Sequence, residues 1–109
     1  MIYVFDIDGT ICTSGESCSE DYTGSEPIKE RIDEINRLYE EGHHIKFLTA
    51  RGMGRTNNNR EAAYTLFYTL TYNQLKDWGV KFHELHLGKL ESDYFIDDKG
   101  VNADDFFSK

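Results

Sequence analysis

Apolar and polar positions along this chain switch between two periods, and the switches mark out the elements. Residues 2–8 are an apolar, β-prone run that ends in two aspartates, and they read as a buried strand. Residues 27–41 place Ile28, Ile32, Ile35, Leu38 and Tyr39 at helical spacing. Pro27 suits the first turn of that helix and Gly42 its stop. Residues 44–49 predict a second strand. A second helix is expected from Arg60 to Trp78, with Ala63, Leu66, Phe67, Leu70 and Leu75 facing inward and Gly79 as its stop. Its middle, Thr69-Leu70-Thr71-Tyr72, is weak for a helix and invites a kink. Residues 82–87 and 93–97 read as further strands. The polar stretch 12–26, rich in Ser, Gly and Glu, predicts a long loop or small hairpin, and Ala50–Asn59 predicts another loop.

The order strand–helix–strand–helix–strand–strand indicates an α/β layered, mostly parallel sheet in one domain spanning 1–109. Such sheets bind ligands beyond the carboxyl ends of their strands. Asp6 and Asp8, Thr49 and Arg51, and Asp97 and Asp98 each end a predicted strand, so three polar clusters are expected on one rim. One joint is awkward. Five residues, Gly88–Ser92, link the last two strands, whereas a parallel crossover normally needs about a dozen or more. Either residues 82–87 lie outside the main parallel sheet, or the topology there is unusual.

With 109 residues the chain has room for one modest core, and at 14% aromatic content that core leans on Tyr and Phe. A net charge of −8 argues against a nucleic-acid surface built on phosphate neutralisation. No apolar run approaches the roughly 20 residues of a membrane span. The first strand starts almost at Met1 with no leader before it, so a cytoplasmic protein is expected. Cys12 and Cys18 have no second pair and no zinc-finger histidines, and are read as two thiols without a shared role. The four histidines (His43, His44, His83, His86) are read as partly exposed and without function.

Candidate chemistry centres on Asp6-Ile7-Asp8-Gly9-Thr10. In a strand, residues i and i+2 share a face, so both carboxylates point into one space. Two carboxylates so placed repel unless a cation or a shared proton intervenes. At average residue usage the pattern arises by chance in about one chain of this length per thousand. Asp6 suits a nucleophile, and Asp8 suits an acid that protonates a leaving oxygen and then deprotonates water. Asp97, with Asp98 beside it, would complete an oxygen-lined Mg²⁺ site. Thr49 and a lysine would hold the oxygens of a transferring phosphoryl group.

Four motifs carry a resemblance that spans nearly the whole chain: Asp6-Ile7-Asp8-Gly9-Thr10, Phe47-Leu48-Thr49-Ala50-Arg51-Gly52, Gly88-Lys89 and Phe95-Ile96-Asp97-Asp98-Lys99. In this order they resemble the motifs of the haloacid dehalogenase superfamily. The Thr-Ala-Arg-Gly and Ile-Asp-Asp-Lys wording is most similar to small phosphatases of capsular-polysaccharide biosynthesis. The resemblance implies a Rossmann-like three-layer sandwich whose first strand is central, flanked by the strands bearing Thr49 and Asp97. It implies a Mg²⁺-dependent phosphomonoesterase acting through an aspartyl-phosphate. Asp6 would be nucleophile and metal ligand, and Asp8 acid/base and ligand through its main-chain carbonyl. Thr49 and Lys89 would bind the phosphoryl group, and Asp97 would be the further metal ligand, with Asp98 nearby. Lys99 is the rival of Lys89. Arg51 is a candidate substrate grip, as is Arg55, with surface ion pairing the alternative for both.

No insertion between these motifs is long enough for a cap domain. An open site suits a phosphorylated sugar, a nucleotide-linked substrate or a macromolecular phosphate; alternatively a partner subunit, such as a second copy, covers it. Two other functions use related parts: a receiver-like phospho-acceptor domain, whose motif order differs, and an idle fold that only binds. A nucleotide or nucleic-acid-end phosphatase is a variant of the leading reading.

Overall fold

A computed structural model describes residues 1–13 and 22–108. The chain runs β1 (Ile2–Phe5), α1 (Lys29–Glu40), β2 (His44–Thr49), α2 (Arg60–Asp77), β3 (Glu84–Leu87) and α3 (Ala103–Phe107). The three strands are parallel in the order β1-β2-β3, with Phe5 level with Phe47 and Phe47 level with Leu85. This is a small α/β fold with a three-stranded parallel sheet and three helices. Part of the expected loop 12–26, Cys18 included, lies outside the described residues.

Strand order and handedness together decide where the helices go. Successive parallel strands laid down in one direction, each joined by a right-handed crossover, put their connecting helices on the same face. That face carries Tyr3, Phe5, Ile45, Phe47, Thr49, Leu85 and Leu87, all in register. Ile32, Ile35 and Leu38 of α1 and Ala63, Phe67 and Leu75 of α2 are buried with it in one cluster. Short α3 covers the β1 end, where Phe106 meets Phe5 edge-on and Phe107 stacks on it, with ring centroids 5.5 and 6.1 Å away.

The opposite face holds Ile2, Val4, His44, Lys46, Leu48, Glu84 and His86, and among the described residues no helix covers it. Polar chemistry keeps its middle wet. Glu84 accepts from His44 at 2.7 Å and from His86 at 2.9 Å, with the Lys46 ammonium 3.6 Å away. The hydrogen bonds from His86 and His44 push the Glu84 carboxyl down to about 2. Sheet and helices thus form two layers among the described residues, where three were expected.

Two further expectations change. Residues 93–97 form no strand; the whole stretch 91–100 is exposed, with Ile96 95% accessible. Consequently β1 sits at an edge of the sheet, not at its centre. The awkward five-residue link is thereby explained: β3 does belong to the parallel sheet, and no parallel neighbour follows it. In α2, Leu66 is 52% exposed and Thr71 is fully buried in its stead. The helix is unbroken through its low-propensity middle, because tertiary packing outweighs differences of a few tenths of a kcal/mol per residue.

Leu75 and Leu66 separate the two faces of α2. Leu75→Ala should lower unfolding free energy by about 2–5 kcal/mol through lost burial and a residual cavity. Leu66→Ala should shift it by no more than about 0.5 kcal/mol. Urea titration of both variants checks this.

Candidate active site

The chain turns sharply once β1 ends. Thr10 and Ile11 donate their main-chain N–H groups to the Ile7 carbonyl, and Gly9 donates to Cys12. Gly9 takes a φ of +79°, the left-handed conformation that glycine reaches without Cβ strain. Ile7 points into the core with no exposed surface. Asp6 and Asp8 therefore flank a buried anchor at the carboxyl end of the sheet, in the turn itself and not in the strand.

Asp8 is gripped from below. Arg51 Nε donates to Asp8 Oδ2 and Nη2 to Asp8 Oδ1, both at 2.9 Å. This bidentate fork is the strong geometry for guanidinium and carboxylate. The Arg51 side chain has no exposed surface, so each of its donors needs an acceptor. Nη1 donates to Thr71 Oγ1 at 3.2 Å and to Gln74 Oε1 at 2.7 Å. The Tyr22 ring lies 4.7 Å from the guanidinium carbon, and the Cys12 sulfur donates to Asp8 Oδ1 at 3.4 Å. Arg51 was expected to grip substrate. The structure instead spends its donors inside the protein, because a buried guanidinium left unpaired is far costlier than one tied to a carboxylate and two neutral acceptors.

Asp6 meets a different cation. Lys89 Nζ lies 3.8 Å from Asp6 Oδ2, with the Phe95 ring 4.4 Å from the same ammonium. Burial pushes the Asp6 carboxyl above its ordinary value, against the pull of Lys89 and of the Ile7 main-chain hydrogen bond, and with a smaller push from Asp8. Lys89, not Lys99, is thus the lysine beside Asp6. Thr49 fixes it there. The Thr49 carbonyl accepts from both Gly88 N and Lys89 N at 3.2 Å. Gly88, at φ +108°, brings its backbone against the Arg60 side chain, where a Cβ would stand 2.6 Å from Nε. The Thr49 hydroxyl is 1% exposed and accepts from Arg51 N at 3.2 Å. Thr49 thus engages its neighbours through both its carbonyl and its hydroxyl.

The third expected cluster does not arrive. Asp97 folds into its own turn, where Oδ1 accepts from Lys99 N at 2.8 Å and Gly100 N at 2.6 Å. Those two N–H groups hold its carboxyl below the ordinary range. Asp98 lies in the same exposed stretch, and Arg55 rests over the Phe67 ring at 5.8 Å. Among the described residues no three His, Cys, Asp or Glu side chains gather as a ready metal cage. Thr71, Gln74 and Tyr22 are the residues that sequence reading missed. Their one legible signal was Thr71 and Gln74 three apart on a helix, with Thr71 one turn before an inward Leu75.

Two outcomes follow from this geometry. Arg51→Met should destabilise the fold by about 3 kcal/mol, since Asp8 is left without its counter-charge. The double variant Arg51→Met/Asp8→Asn should lose less than the sum of the singles, as a double-mutant cycle in urea would show. For Asp6 the sign runs the other way. A carboxyl whose pKa is raised on folding favours the native state when protonated, so this contribution is lost as pH climbs from the ordinary value through the folded one. Asp6→Asn should therefore melt higher than the parent at neutral pH. The gap should close as pH falls through the ordinary carboxylate range, read by thermal unfolding at several pH values.

No family model matches this chain, and no curated protein matches it. Among solved structures it is similar to a structural-genomics target from Vibrio cholerae, a crystal structure at 22% identity and a TM-score of 0.86, covering 99% of this chain and 88% of that one. At that identity the likeness shows the fold alone.

Proposed function

We propose that this chain is a Mg²⁺-dependent phosphomonoester hydrolase of haloacid dehalogenase type, capless, acting through an aspartyl-phosphate on Asp6. The observation that carries the reading is the pairing of a half-buried Asp6 with Lys89 at the carboxyl rim of a parallel sheet, beside an Asp8 held in place by buried Arg51. An Asp6 oxygen attacks phosphorus and the bond to the leaving oxygen breaks, with Asp8 supplying its proton. Asp8 then takes a proton from water, whose oxygen attacks the same phosphorus and frees Asp6. Asp8 Oδ2 keeps a second lone pair beside its Arg51 bond, so the fork orients the carboxylate without using it up. Lys89 offsets charge on the phosphoryl oxygens.

The donor set fits a hard cation. Asp6 is a carboxylate that burial disfavours as an anion, and Mg²⁺ takes one or two carboxylates plus substrate phosphate. Asp6 and the main-chain carbonyl of Asp8 would hold it, with Asp97 as the expected third ligand. When bound it would keep Asp6 ionised and reduce repulsion with the phosphate. The rim carries no cap among the described residues, which suits a phosphorylated sugar or related metabolite of polysaccharide biosynthesis. No described helix is long and apolar enough to cross a membrane.

Purified protein with Mg²⁺ should hydrolyse an aryl phosphate and lose the activity to chelator. Asp6→Asn should reduce turnover to background, and Lys89→Met should lower kcat by about 10²-fold or more. Undiminished hydrolysis by Asp6→Asn would sink the reading.

A further inference from the structure

Tyr22 stands in a conformation that its own side chain resists. Its φ is +65°, in the left-handed region. Asn57 and Asn58 share that region at φ +56° and +61°, but asparagine reaches it readily because its short amide bonds locally. A tyrosine has no such help, so its surroundings must hold it there. Strain of this kind persists only where neighbouring contacts over-determine it, and it clusters at functional positions.

The ring, the hydroxyl and the carbonyl of Tyr22 each lead to Arg51. The ring lies over the guanidinium, 4.7 Å from its central carbon. The phenol oxygen accepts at 3.0 Å from the main-chain N–H of Gly52, which follows Arg51. The carbonyl accepts from Gln74 Nε2 at 2.7 Å, and Oε1 of the same amide accepts from Arg51 Nη1 at 2.7 Å. Phe67 backs the arrangement, meeting the Tyr22 ring edge-on at 5.0 Å. Hydrogen bonds to a guanidinium lie in its plane. Asp8, Thr71 and Gln74 take its edges, so the Tyr22 ring is what takes a face. Without that ring, water reaches a side chain that has no exposed surface. Water there raises the local dielectric and offers Arg51 competing acceptors, and both loosen its hold on Asp8.

We propose that Tyr22 is a positioning residue for the proton transfers of Asp8: by covering the guanidinium face it keeps the Arg51 fork dry and the carboxylate in one orientation. Tyr22 itself touches no reacting atom. Its part in the reaction rests on the phosphatase reading, in which Asp8 gives its proton to the leaving oxygen; its shielding of Arg51 does not.

Two esters separate proton delivery from general damage. Phenyl phosphate needs a proton on its leaving oxygen, whereas dinitrophenyl phosphate releases a far weaker base and does not. Tyr22→Asn removes the ring and accepts the positive φ. It should lower kcat/KM for phenyl phosphate about tenfold more than for dinitrophenyl phosphate. Tyr22→Gly, which also suits that φ, should do the same. Tyr22→Phe keeps the ring and should hold the parental ratio within about twofold. Equal losses on both esters, or a Tyr22→Phe ratio as low as that of Tyr22→Asn, overturn the positioning role. The shielding has its own readout in exchange of the Arg51 Nε–H with water, followed by NMR. In the parent it should be about 10²-fold slower than in an exposed arginine, and Tyr22→Asn should remove most of that protection. Fast exchange in the parent, or unchanged protection in Tyr22→Asn, overturns the shielding. A parent that hydrolyses neither ester overturns the phosphatase reading and the role in proton transfer with it, while the shielding stands or falls on the exchange rates.

Discussion

Arg51 brings a permanent charge into a place with no solvent, and the carboxyl rim of the sheet is arranged around that fact. Its fork to Asp8 joins the loop after β2 to the turn after β1. Its remaining donors reach Thr71 and Gln74 on α2, and Tyr22 lies against its flat face. One buried side chain thereby fixes the relative positions of two loops and a helix that are far apart in sequence. The energetic logic is asymmetric. An intact buried pair adds little net stability, but loss of either member leaves an uncompensated charge. The gain is orientation: the fork sets the plane of the Asp8 carboxylate.

Asp6 is left in the opposite condition. Its counter-charge, Lys89, stands 3.8 Å away, and burial disfavours its anion. Asp6 and Asp8 are two residues apart, yet one is held by a full fork and the other is under-compensated. Such divergence between neighbouring carboxylates is what distinct roles in one reaction require. The same contrast is a source of instability, since the under-compensated group is the one a cation or phosphate-binding reaction would use.

Sheet topology decides which face of the strands is covered. Laying β1, β2 and β3 down in one direction places all the connecting helices on one face and leaves β1 at the edge. The open face tolerates water because Glu84, His44, His86 and Lys46 satisfy one another across its middle strands.

Local pattern alone determined much of this. The periodicity of Ile32, Ile35 and Leu38 set α1 and its buried face, β2 was bounded by its own alternation, and the place of Asp6, Asp8 and Thr49 at strand ends was legible from the apolar runs before them. These features depend on neighbours in sequence, where dihedral preference and apolar spacing suffice. Tertiary structure decided what depended on distant partners. Burial of Thr71 in place of Leu66 depends on Arg51 needing an acceptor. The inward commitment of Arg51 depends on Asp8 standing 43 positions earlier. Residues 93–97 have the composition of a strand, but a strand is made by a partner's hydrogen bonds, and among the described residues they find none.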